Sequence, residues 1–152
     1  MNDNHFKSTA LKFVGPLALA AAVFVAASAP ASADETVKVA LWNKQDGSQG
    51  IDLSTDTVKA GKVAFVITNA SKDMEHEFLI VPTDMTFGQF PMKDAGAKVD
   101  EGKLKGVDEF GDVEEGETKT WNTELKPGRY VLFCNEEGHF KAGMETILNV
   151  TK

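Results

Sequence analysis

"RYVLFCNEEGHFKAGMETILNV", residues 129–150, reads as two strands with a loop of donor atoms between them. "RYVLFC" (129–134) and "METILNV" (144–150) are rich in β-branched and aromatic residues, the composition that fits a pleated, half-buried surface. By the two-residue period of a strand, Tyr130, Leu132 and Cys134 share one face, as do Met144, Thr146, Leu148 and Val150. If both faces point into a core, Cys134 and Met144 stand where the chain leaves and re-enters it, and the loop 135–143 lifts His139 over the top.

The same period runs through most of the chain. "TVKVALW" (36–42) sets Val37, Val39 and Leu41 against Lys38 and Ala40, and "GKVAFVITNAS" (61–71) places Val63, Phe65 and Ile67 together. "HEFLIVP" (76–82) is a third strand, stopped by Pro82, with His76 on the face of Phe78 and Ile80. "TKTWNTEL" (118–125) precedes a Pro127-Gly128 turn, and "NKQDGSQG" carries an Asp46-Gly47 turn. Seven to eight short strands separated by turn signals predict an all-β protein, a Greek-key β-sandwich. Residues 83–117 break the alternation and predict a long surface excursion. Asp94 to Leu104 leaves room for a short helix, weakened by Gly96 and Gly102. Asp108, Glu109, Asp112, Glu114, Glu115 and Glu117 are expected as a solvated acidic face, read first as solubility and second as a docking patch.

The first 33 residues have a different character. Lys7 and Lys12 lead into an apolar run bracketed by Pro16 and Pro30, and Ala31-Ser32-Ala33 offers an Ala-x-Ala cleavage site, so residues 1–33 read as a secretory signal cut after Ala33. The run is well short of the ~20 residues of a membrane-spanning helix. The expected mature chain, 34–152, is one domain with no membrane span, placed in the periplasm and expected to be a monomer. The whole sequence has 16 basic and 23 acidic residues; without Lys7, Lys12 and Asp3 these become 14 and 22, a formal charge of −8. That balance excludes nucleic acid, whose phosphates call for Lys and Arg, and favours basic protein partners.

Cys134 is the only cysteine in the sequence, so no internal disulfide can form. Three roles stay open for it: a buried inert thiol, a nucleophile, or a metal thiolate. Its neighbours bear on the choice, because His76, Cys134, His139 and Met144 together make two imidazoles, one thiolate and one thioether. That set suits one-electron transfer by a single copper ion held in a rigid site that accepts both oxidation states. Zinc remains an alternative, although it gains little from a thioether. Met74, Met85 and Met92 read as packing or surface residues, with a second copper site as the other reading.

The arrangement Cys134-x4-His139-x4-Met144, with a histidine opening a strand upstream, resembles the ligand pattern of the cupredoxins, the type 1 blue copper proteins, with spacing most similar to that of the rusticyanin group. The wider text from 36 to 150 is similar to small exported bacterial cupredoxin-like proteins. The resemblance implies His76, Cys134 and His139 as equatorial copper ligands and Met144 as a weak axial contact, with His76 buried and His139 the partly exposed entry for electrons. Two positions depart from it. Glu136 and Glu137 precede Gly138 where relatives commonly carry an apolar residue and a proline, and Glu77 follows the first histidine where a small polar residue often bonds the thiolate. With two histidines after Ala33, both assigned, neither an additional copper centre nor a Ser-His-Asp set can form, so the expectation is a non-enzyme: an electron carrier between redox proteins, or a protein that stores or delivers copper without redox cycling.

Overall fold

The computed structural model describes residues 33–152, so the expected signal segment lies outside the described residues, save Ala33 at its end. Eleven strands follow one another: β1 (Glu35–Asn43), β2 (Gln49–Leu53), β3 (Thr57–Lys59), β4 (Gly61–Asn69), β5 (His76–Pro82), β6 (Met92–Lys93), β7 (Lys98–Val99), β8 (Asp108–Val113), β9 (Thr118–Leu125), β10 (Gly128–Phe133) and β11 (Glu145–Thr151). One sheet has the order β2-β1-β4-β9 and the other β3-β11-β10-β5-β8, each mixing antiparallel pairs with one parallel pair, β1–β4 and β3–β11. β6 and β7 form a separate two-stranded ribbon.

Alternation explains how the sheets meet. Val37, Val39 and Leu41 of β1 and Val63, Phe65 and Ile67 of β4 turn inward against Phe78, Ile80, Tyr130, Leu132 and Leu148 of the second sheet, in one buried cluster that also contains Cys134 and Met144. Phe65 and Phe78 meet across it with ring centroids 5.9 Å apart. The chain crosses between sheets at β9–β10, where the Tyr130 hydroxyl donates to the carbonyl of Lys126 and accepts from its amide, pinning the Pro127-Gly128 turn.

Residues 83–117 differ from the sequence expectation in two ways. The helix expected at Asp94 to Leu104 is absent. Asp94–Gly96 and Glu101–Lys103 are single 3₁₀ turns around β7, and positive φ at Asp94, Ala95 and Gly96 stops any longer helical run. The acidic stretch is a loop only in its second half: Asp108–Val113 pairs with β5 as an edge strand, and residues 114–117 form the turn to β9. Gly111, at φ 96°, lies at the register shift between Phe78 and Leu79, and the exposed Asp108, Glu109 and Asp112 protect this edge from pairing with other chains.

The excursion covers the outer face of the second sheet. Leu79 and Val81 of β5 and Val131 and Phe133 of β10 form a second buried cluster with Phe90, Val99 and Phe140. The runs "FLIV" and "YVLFC" are apolar at consecutive positions because both faces of these strands are covered.

Candidate metal centre

β5 and the loop between β10 and β11 bring the donor atoms together at one end of the sandwich. β10 delivers Cys134 just past Phe133, and the eleven residues to Met144 close on themselves through backbone bonds. The Cys134 amide donates to the Met144 carbonyl at 3.0 Å, the Met144 amide to the His139 carbonyl at 3.1 Å, and the Gly143 amide to the Phe140 carbonyl at 3.1 Å. Gly138 and Gly143 supply the left-handed φ angles of 85° and 98° that so tight a path needs. Phe140 anchors the loop from outside, buried against Phe90 and Phe133 with centroids 5.0 and 5.7 Å away. Asn135 ties the loop to the excursion: its side chain accepts from the Val99 amide at 2.7 Å and donates to the Val99 carbonyl and to the Glu101 carboxylate.

His76 enters from β5. Its Nδ1 lies 3.8 Å from Cys134 Sγ and 3.2 Å from His139 Nδ1, and Sγ lies 3.3 Å from His139 Nδ1. A triangle with these sides has a point about 2.0 Å from all three corners, which matches metal–imidazole bonds of about 2.0–2.1 Å and is slightly tight for a metal–thiolate bond of about 2.3 Å. Three donor atoms aimed at one another are poorly served by hydrogen bonds, because too few protons stand between them; a shared cation satisfies all three. His76, Cys134 and Met144 are fully buried and His139 is partly exposed.

Burial sets the protonation of the metal-free site. It lowers His76 to about 4, helped by the His139 charge, and lowers His139 against the opposing pull of Glu136. It pushes the Cys134 thiol up to about 12, opposed by the backbone amides of Glu136 and Glu77, which favour the thiolate. Glu77 therefore serves the sulfur through its main chain, and its side chain points elsewhere, to Glu109.

That side chain belongs to an acidic flank. Burial and a hydrogen bond with Glu109 raise Glu77 to about 7, and a hydrogen bond with Glu114 raises Glu75. Glu75, Asp112 and Glu136 gather on the same side, with Lys98 3.9 Å from Glu136 as the nearby cation.

Solved structures with the same architecture are found. An auracyanin from the photosynthetic bacterium Roseiflexus castenholzii, in a dithionite-reduced form, matches with a TM-score of 0.54 and 20% identity over 80% of this chain and 100% of that one. Rusticyanin from Thiobacillus ferrooxidans matches with a TM-score of 0.53 and 16% identity over 80% of this chain and 85% of that one. The described chain has the cupredoxin fold. A multicopper oxidase also matches, with a TM-score of 0.52 and 11% identity, but this chain spans only 45% of its length. No protein-family model matches the sequence, and no curated protein does.

Within the cupredoxin fold the four residues singled out by sequence occupy one end of the sandwich, and the His76, Cys134 and His139 group is suited to one copper ion. Met144 joins them through the backbone bonds to Cys134 and His139 and through its place in the same buried cluster. Met92 packs against the second cluster, Met85 is exposed, and Met74 is partly buried with its carbonyl bonded by Asn69. Sequence reading missed Ser71, Asn69, Asn135 and Phe140. Only Phe140 had a signal, as an aromatic residue inside an otherwise polar loop.

Proposed function

We propose that the mature chain is an exported type 1 copper protein that carries single electrons between redox partners, with His76, Cys134, His139 and Met144 as the copper ligands. The observation that carries this reading is the convergence of two imidazole nitrogens and one thiol sulfur on a point about 2.0 Å from each. The thioether beside them favours copper over zinc, which closes structural sites with a fourth Cys or His. Bound there, copper supplies one-electron exchange between Cu(I) and Cu(II).

The residues do the rest. Two sheets, a loop closed by its own backbone and the Asn135 clamp keep the donors from rearranging, and a buried sulfur and His76 exclude water. His139, the partly exposed ligand, gives electrons a short way in and out. The acidic flank of Glu75, Glu77, Glu109, Asp112, Glu114 and Glu136, with Glu137 beyond it, favours a basic redox partner docking beside His139. Both histidines of the described residues are in this one group, which leaves none for a second copper centre of the oxidase kind among them. Export follows from the signal reading of residues 1–33.

One equivalent of Cu(II) added to the metal-free protein is expected to give an intense blue thiolate charge-transfer band that dithionite bleaches and ferricyanide restores. A protein that holds copper tightly and stays colourless, with no reversible oxidation, would be a delivery protein instead.

A further inference from the structure

His76 presents its two nitrogens to different surroundings. Nδ1 faces Cys134 and His139, while Nε2 lies 2.6 Å from the hydroxyl of Ser71, a buried residue in the turn between β4 and β5. Nothing leaves Ser71 free to swing away. The fully buried Asn69 accepts the Ser71 amide at 2.9 Å through Oδ1 and donates through Nδ2 to the carbonyls of Met74 and Val113, both at 2.8 Å. The Asn69 backbone is held in turn: its amide donates to the Glu117 carbonyl, its carbonyl accepts from Gly116, and Ala70 donates to Leu41. The turn 70–75 is therefore clamped from β1, from the end of β8 and from the turn before β9, and it sets the Ser71 hydroxyl beside His76 Nε2.

We infer that Ser71 is a positioning residue for the copper ligand His76: its hydroxyl accepts the Nε2 proton, fixing the tautomer that leaves the Nδ1 lone pair aimed at the metal. This rests on the copper reading above. A metal-bound imidazole carries its remaining proton on the other nitrogen, and the acceptor of that proton sets ring orientation and ligand basicity. A 2.6 Å contact is short for an N–H···O bond and leaves no room for ring rotation. A stronger imidazole donor stabilises Cu(II) relative to Cu(I), so Ser71 also holds the potential down.

Long-range 15N–1H correlation on the metal-free protein reads the tautomer without any copper. The expected result is the proton on Nε2 of His76 in the wild type and in Ser71→Thr, and a mixture of the two tautomers in Ser71→Ala. In the copper-loaded protein, Ser71→Ala is expected to lose about 10- to 100-fold in copper affinity and to shift the potential upward, with Ser71→Thr restoring both. The proton on Nδ1 in the wild type, or a Ser71→Ala protein with unchanged tautomer, affinity and potential, overturns the inference. A wild type with the Nε2 tautomer that forms no blue copper centre instead overturns the functional reading and leaves the Ser71 contact in place.

Discussion

Loading the metal-free protein with copper at pH 7 is expected to release one proton per ion, drawn from Cys134. A metal takes thiolate and neutral imidazole, so each donor proton still in place must leave on binding. Burial holds the thiol at about 12, while His76 lies at about 4 and His139 below its ordinary value. At pH 7 the sulfur is protonated and both imidazoles are already free. Ionising a thiol about five units below its pKa costs about 7 kcal/mol at 1.36 kcal/mol per unit, which the metal–sulfur bond must offset. The apparent affinity therefore rises about tenfold per pH unit from neutral pH into the alkaline range. It steepens only in acid, where His139, held below its ordinary value, and His76, at about 4, take up their protons. Calorimetry at pH 7 in two buffers of different ionisation enthalpy counts the protons. Release of none would mean a preformed thiolate, and release of two or more would mean charged histidines; either result refutes the electrostatic picture of the site.

Cys134→Ser abolishes the blue band while circular dichroism retains the β signature, whereas Met144→Leu keeps the band and raises the potential measured by voltammetry. Phe140→Ala costs about 3–5 kcal/mol in denaturant melts, because it empties the contact between Phe90 and Phe133, and it broadens the copper EPR lines by loosening His139. Glu77→Gln stabilises the protein more at pH 8 than at pH 5. The Glu77 carboxyl is raised from 4.5 to about 7, so its contribution is fully present below 4.5 and lost as pH rises through 7, and the amide escapes that loss; thermal melts at the two pH values check it. Charge reversal at Glu136 and Glu137 lowers the association rate with a basic redox partner and flattens its dependence on salt, as read by stopped flow.

The strands that alternate were legible because a half-buried strand writes its two faces into alternate positions, as Val37, Val39 and Leu41 do. The donor cluster was legible for a related reason: soft donors are rare in this chain, and Cys134, His139 and Met144 bracket one loop. β2 and β3 were not legible, being short and polar. β8 hid behind its charges, since an edge strand protects itself with the same Asp and Glu residues that mark a solvated loop. Phe87, Phe90, Met92 and Leu104 in the excursion are the complement of the unbroken apolar runs "FLIV" and "YVLFC", a signal of double-sided burial that alternation alone does not read. Ser71 left no trace at all. Its importance comes from where Asn69 holds it, and that is a property of the folded turn.

The central claim is that this site cycles one electron without rearranging. Voltammetry of the mature, copper-loaded protein on an inert electrode tests it most directly. A single reversible one-electron wave, with stoichiometry of one copper per chain and a peak separation unchanged over a wide range of scan rates, is the predicted result. An irreversible wave, or copper lost in one oxidation state, contradicts it.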